Sequence, residues 1–326
     1  MANWFEDEKL ESQLNIVKNK MQNDLKSGNA YLNESLDYLM MSGGKMLRPA
    51  FLLIGSRFGK SYKKKENELI KLATAIETLH IATLLHDDVI DEATLRRGQA
   101  SIQSKYSKEY AIYMGDYLLS RCFLLLTELQ VPKELAVRLA RVVSKICLGE
   151  IRQHTNRYNL EVTPMDYIRI VSGKTAALFA IGLSAGGYMT KASEDVIKKL
   201  AHAGYELGMA FQMIDDLLDY SGSENEVGKD LRMDLLNGYY NMPVIFALKD
   251  ESVYRDEIRD LLSQGLESHQ VEHVLDLIRK AGAIDKTKSL ALKYHRRAVS
   301  LIESLPDNEG RTILLKLVPK LLERIY

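Results

Sequence analysis

Apolar residues recur every three or four positions through most of this 326-residue chain, and no segment alternates apolar with polar. Leu69, Leu72, Ala73, Ile76 and His80 form one such stripe, which runs on through Thr83, Leu84 and Asp87. Ala136, Leu139, Val143 and Ile146 form a second, and Val196, Leu200, Ala203, Leu207, Ala210, Phe211 and Ile214 a third. That spacing keeps side chains on one face of an α-helix. The chain is therefore expected to be all-α, with roughly ten or more helices at the usual length of about a dozen residues. Only 6 Pro and 20 Gly are present, few of the breaks that a sandwich or barrel needs. No stretch reads as an interdomain linker, so residues 1–326 are expected to form a single domain.

Charge and composition exclude several functions. The 44 basic and 44 acidic side chains cancel, which argues against a basic surface for nucleic acid, and none is expected as a partner. Cys122 and Cys147 cannot build a disulfide framework, and the reading is a cytoplasmic protein. Glu6, Asp7, Glu8 and Glu11 give the start the wrong charge for a signal peptide. No apolar run is expected to reach the length of a membrane span. The longest, Thr175 to Gly187, is short and rich in small residues, so membrane contact is expected to be at most peripheral.

Two segments carry the chemistry. Asp87-Asp88-x-x-Asp91 and Asp215-Asp216-x-x-Asp219 each end an apolar helical stripe. Spacings of three and four residues are expected to crowd the three carboxylates on one side of a helix. Like charges there repel, and aspartate is a poor helix former. One copy alone is as readily a solvated acidic face. Two copies favour hard divalent cations, Mg²⁺ above all, which is held by one or two carboxylates, waters and substrate phosphates.

Cations are interleaved with these clusters. Lys45 and Arg48 follow Gly43-Gly44, His80 precedes the first cluster, and Arg96-Arg97-Gly98 follows it. Lys174-Thr175 and Gly228-Lys229 add two more. Singly, each is a common surface charge, and His80 a common core histidine. Together with the two acidic clusters they suggest a site for polyphosphates bridged by Mg²⁺. A complete P-loop, a dinucleotide fingerprint, a nucleophile elbow and a zinc-type cluster are all missing.

In order along the chain stand Gly-Gly-Lys-x-x-Arg-Pro from Gly43, Leu-x-His-Asp-Asp-x-x-Asp-x-x-x-x-Arg-Arg-Gly, Gly115-Asp116, Gly149-Glu150-x-x-Gln153, Lys174-Thr175-Ala176 and Phe211-Gln212-x-x-Asp-Asp-x-x-Asp. In this the chain resembles the trans polyprenyl diphosphate synthases over nearly its whole length, with medium- and long-chain members the most alike. The resemblance implies an all-α bundle around a central cavity. It implies Mg²⁺-dependent condensation of isopentenyl diphosphate onto an allylic diphosphate such as farnesyl diphosphate. The product would have six to eight isoprene units, heptaprenyl among them, for the side chain of a quinone such as menaquinone. Asp87, Asp88, Asp91, Asp215, Asp216 and Asp219 would bind Mg²⁺, three ions per site. Lys45, Arg48, His80 and Arg97 would bind isopentenyl diphosphate. Arg96, Lys174, Thr175, Gln212 and Lys229 would bind the allylic diphosphate. Leu79, Ala82 and Thr83, running back along the helix from Asp87, would line the chain-length tunnel. A homodimer, or a heteromer with a small accessory subunit, would be the working state.

The chain departs from the family once. Where the pattern carries a lysine after a glycine, Gly238 is followed by Tyr239. Two other functions share some of these features. A terpene cyclase needs no Lys45, Arg48 and Arg97 pocket, and a non-catalytic partner subunit is expected to lose one aspartate cluster.

Overall fold

The computed structural model describes residues 5–41, 43–221 and 233–322. They are helical almost throughout, as the periodicity requires. They fall into two compact units. One comprises the chain up to Ala136 with Gly182–Ile197 and Asp307–Ile313. The other comprises Val137–Ile181, Lys198–Pro306 and the chain from Leu314.

In the first unit, α1 (Glu8–Asp24), α2 (Ala30–Met41), α3 (Leu47–Ser56) and α4 (Glu66–Ile90) lead to a hairpin of Leu95–Arg96 and Gln99–Ala100; α5 (Ile102–Lys105) and α6 (Lys108–Thr127) follow. The centre is α4, packed most closely against α6, with α3 and α1 also against it. Leu69, Leu72, Ala73 and Ala75 on α4 are sealed from water, as are Ala50 to Ile54 on α3. Each large apolar side chain so buried contributes about 1.5–3 kcal/mol. Asp7 caps α1 by accepting from the Leu10 amide at 2.7 Å, and it also accepts from Arg57 Nη2 at 2.8 Å, which ties α1 to the end of α3.

The second unit begins within α7 (Lys133–Thr155). α8 (Pro164–Val171) then runs without a break through a π-helical turn, Ser172–Ala176, into α9 (Ala177–Met189), whose residues from Gly182 on belong to the first unit. α10 (Glu194–Ser221) carries the second acidic motif, and α11 (Met242–Lys249), α12 (Arg255–Ser263), α13 (Val271–Lys280), α14 (Ala283–Glu303) and α15 (Glu309–Leu322) complete the chain. Behind the motif, Tyr167, Val171, Met213, Ile214, Met242 and Ile245 form one buried cluster.

Two expectations need correction. The hairpin is a pair of strands where none was expected; at two residues each, they are too short to alternate. Two helices, Glu66–Ile90 and Pro164–Met189, are also long and apolar enough to cross a membrane, although no run of that length was expected. In each, 67% of the apolar window is buried inside the protein, so these faces serve its own core.

Candidate active site

In the first unit, Gly43 and Met46 both adopt positive φ, 65° and 51°, and bend the chain between α2 and α3 so that Arg48 enters the first turn of α3. Arg48 Nη1 lies 2.9 Å from His80 Nε2. A guanidinium only donates, so His80 accepts here and carries its ring proton on Nδ1. Burial, followed by the charges of Arg48, Arg97 and Arg96, holds the His80 pKa well below its usual value. Burial also lowers Arg48 to about 10, with Arg97 adding to the shift and Glu77 opposing it. Lys45 lies half-buried in the loop just before.

Arg97 is placed by the hairpin. Arg97 and Gly98, at φ 52° and 78°, are its two turn residues, the geometry that matches the twist of paired strands. For a non-glycine residue such as Arg97 this costs about 1 kcal/mol or more. Its guanidinium lies against Gly44, where a Cβ would meet Arg97 Nη1 at 2.8 Å. Between loop, hairpin and α4 lies a cavity of about 90 Å³. Its lining carries the charges of Lys18, Glu77, Asp88, Arg96 and Arg97 and, among them, the apolar side chains of Met40, Ile81, Leu84 and Leu85. Three cations against two carboxylates suit an anion, and the apolar side chains suit a hydrocarbon attached to it.

Asp87, Asp88 and Asp91 stand at the C-terminal end of α4, where the helix dipole is itself negative. They do not share one side, as the spacing had suggested. Neighbouring helix positions differ by about 100°, and Asp88 turns inward, 3% exposed, to accept from Arg96 Nε at 2.6 Å. Burial raises the Asp88 pKa while Arg96 opposes it. Asp87 is half-buried and Asp91 exposed. Asp116 Oδ1 lies 3.2 Å from His86 Nε2 beside them.

In the second unit the π turn presents Lys174 and Thr175. Lys174 Nζ donates to Glu150 Oε2 at 3.0 Å and to Gln153 Oε1 at 3.1 Å. Gly173 permits the close approach, since a Cβ there would meet the Lys145 carbonyl oxygen at 2.4 Å. Thr175 Oγ1 donates to Gln212 Oε1 at 2.8 Å, and Gln212 Nε2 to Asp216 Oδ1 at 2.9 Å. Tyr167 Oη donates to the other carboxylate oxygen, Asp216 Oδ2, at 2.5 Å. Burial pushes Asp216 up to about 6, against the two donors that hold it down. Asp215, its neighbour, is exposed. The Asp219 side chain and Lys229 lie outside the described residues. Tyr239 carries a cation above it: the Arg157 guanidinium sits 5.0 Å from its ring centre.

Among the described residues no three His, Cys, Asp or Glu side chains converge as a ready metal cage. The donors nevertheless fit Mg²⁺. Asp87 and Asp91, one turn apart at a negative helix end, offer hard oxygen ligands to a cation that keeps waters and takes the rest of its shell from phosphate. Of the chain-length positions, Leu79 and Ala82 are buried and Thr83 half-buried; none lines the cavity. Sequence reasoning missed Glu77, Lys18 and Tyr167. Glu77 could have been found, one helical turn before His80; Lys18 and Tyr167 carry no local signal.

Residues 29–278 match the family model for polyprenyl synthetase. The chain belongs to the polyprenyl synthetase family. This polyprenyl synthetase is 35% identical to heptaprenyl diphosphate synthase component 2 of Geobacillus stearothermophilus over 319 residues, 97% of each chain. Its fold matches a heptaprenyl diphosphate synthase from Staphylococcus aureus with a TM-score of 0.91 at 31% identity, covering 97% of this chain and 99% of that one. A polyprenyl synthase from Caulobacter crescentus, solved with calcium and isoprenyl diphosphate, matches with a TM-score of 0.87 at 28% identity, covering 97% and 95%. The all-α fold is that of this family, and the chain is a prenyltransferase. The family is Mg²⁺-dependent.

Proposed function

We propose that this polyprenyl synthetase extends an allylic diphosphate, farnesyl diphosphate for example, with isopentenyl diphosphate to a chain of six to eight units, heptaprenyl first among them, for a quinone side chain. The observation that carries the reading is the cavity of the first unit, lined by Arg97, Arg96 and Lys18 and also by Ile81, Leu84 and Leu85. It matches a short isoprenoid diphosphate in both charge and greasiness. Arg48, neutral His80 and Lys45, which lie outside that lining, join Arg97 in holding the diphosphate of isopentenyl diphosphate.

Asp87, Asp88 and Asp91, and Asp215, Asp216 and Asp219, would hold Mg²⁺, three ions in all. When bound, Mg²⁺ neutralises the charge that develops on the departing diphosphate. Arg96, Lys174, Thr175, Gln212 and Lys229 hold the allylic diphosphate. With the leaving group's charge met, the double bond of isopentenyl diphosphate attacks the allylic carbon, so positioning replaces a covalent nucleophile. The released diphosphate takes the final proton. Leu79, Ala82 and Thr83 line the path of the growing chain, and apolar walls keep water from the electron-poor carbon.

The chain is read as one catalytic domain in the cytoplasm that pairs with a second copy or with a small accessory subunit. Similarity to a protein named component 2 supports the second arrangement. Ile112, Tyr113, Phe123 and Leu124 on α6, each 41% exposed or more, are apolar side chains available to either partner. The test is incubation with farnesyl diphosphate, isopentenyl diphosphate and Mg²⁺, with and without a small accessory component, followed by product sizing and gel filtration. Products longer than four units support the reading. Cyclised hydrocarbon, or no elongation under either condition, overturns it.

A further inference from the structure

We propose that Tyr167 is a positioning residue for the second aspartate motif, fixing the Asp216 carboxylate so that the motif is presented to a divalent cation carrying diphosphate. The proposal rests on the prenyltransferase reading above and names a residue that no part of that reading uses.

Both oxygens of Asp216 are gripped. Tyr167 Oη donates to Oδ2 at 2.5 Å and Gln212 Nε2 to Oδ1 at 2.9 Å, while Gln212 is itself held by Thr175 at 2.8 Å. The chain of hydrogen bonds thus runs from the π turn through α10 to α8. An O–H···O⁻ contact of this length is at the strong end of protein hydrogen bonds. A carboxylate held at both ends loses its side-chain rotations yet keeps a second lone pair on each oxygen for another partner.

The donor cannot drift. Tyr167 is 5% exposed and packed with Val171, Met213 and Met242. Four residues earlier, Thr163 and Asp166 close a reciprocal cap with Pro164 in the first turn, which fixes the angle at which α8 begins. Asp215 is exposed and shares a peptide bond with Asp216. Tyr167 and Gln212 thus do for the Asp216 carboxylate what outer-shell partners do for metal ligands generally.

Tyr167→Phe keeps the ring and removes only the donor. The full-length protein is melted with and without Mg²⁺ plus inorganic diphosphate, and turnover is titrated with Mg²⁺ and with isopentenyl diphosphate. The expected result is a Mg²⁺ requirement raised about 10–100-fold, a smaller rise in Tm on adding Mg²⁺ and diphosphate, and an unchanged KM for isopentenyl diphosphate. Asp216→Asn and the double variant should respond alike, since Tyr167 acts through Asp216. A wild-type Mg²⁺ requirement and Tm rise in Tyr167→Phe overturns the proposal, even if its ligand-free Tm falls, because the tyrosine would then serve packing alone. If Tyr167→Phe does not fold, Asp216→Asn against the double variant decides, and a further loss of Mg²⁺ response in the double variant overturns the proposal. A wild-type protein with no response to Mg²⁺ and diphosphate overturns the underlying reading, and the proposal with it.

Discussion

Arg96 Nε and Asp88 Oδ1 stand 2.6 Å apart, and the pair takes the central aspartate of the first motif out of water. Asp88 is nearly sealed while Arg96 keeps about a third of its side chain exposed, so the pair lies between the surface and buried limits. Arg96→Ala should cost on the order of 2 kcal/mol by leaving a buried carboxylate unmatched. Urea unfolding checks this; an unchanged midpoint would mean that Asp88 finds its compensation elsewhere.

Asp87→Ala and Asp215→Ala should each lower kcat by about 10²-fold or more, since each removes charge neutralisation in the transition state. Single-turnover rates with saturating substrates and Mg²⁺ are the measurement. Full activity in either variant, or in excess chelator, removes that aspartate or the metal from the chemistry.

The two basic groups should separate kinetically. Arg97→Ala or Arg48→Ala should raise the KM for isopentenyl diphosphate, and Lys174→Ala that for the allylic partner. A lost charge-assisted contact costs about 1.5–3 kcal/mol, or roughly 10–150-fold. Equal effects on both substrates would refute this division.

His80 gives a pH dependence with a definite sign. Its folded pKa lies well below the usual 6.5, chiefly through burial, so below pH 6.5 the unfolded chain binds a proton that the folded one refuses. Above that pH the histidine is neutral in both states and contributes nothing, and stability falls as the pH drops below it, by up to about 1.4 kcal/mol per unit for one proton. His80→Gln should flatten the stability profile between pH 6.5 and 5. An equally steep profile in the variant assigns the acid sensitivity to another group.

Ala82 is fully buried on α4, so Ala82→Phe should cost about 1–3 kcal/mol by overpacking. If the growing chain passes this face, the folded variant should also make a shorter product while sparing the first condensation. Chromatography of dephosphorylated products reads the length; no shortening moves the tunnel wall to another face.

The sequence made the helices legible because burial on one face leaves a period, and it made the two acidic motifs legible because clustered like charges demand a reason. It could not show which way each charge turns. Asp88 and Asp91 look equivalent in a motif, yet the three positions between them, about 60° around the helix axis, turn one to Arg96 and leave the other exposed. Tyr167 was hidden for a similar reason. Its partner, Asp216, lies 49 residues away, and no local spacing encodes that contact. The hairpin that aims Arg97 was too short for any periodicity to register.

The π turn at Ser172–Ala176 is a place where a helix holds one residue more than its pitch accepts. Removing a single residue there would let α8 and α9 join as a regular α-helix, a local gain in hydrogen-bond geometry. The same repair would swing Lys174 and Thr175 about 100° around the axis relative to α8. Lys174 would leave Glu150 and Gln153, and Thr175 would leave Gln212. Here a smoother helix means a scattered site, so deletions in this stretch should be tolerated by the fold and refused by the enzyme.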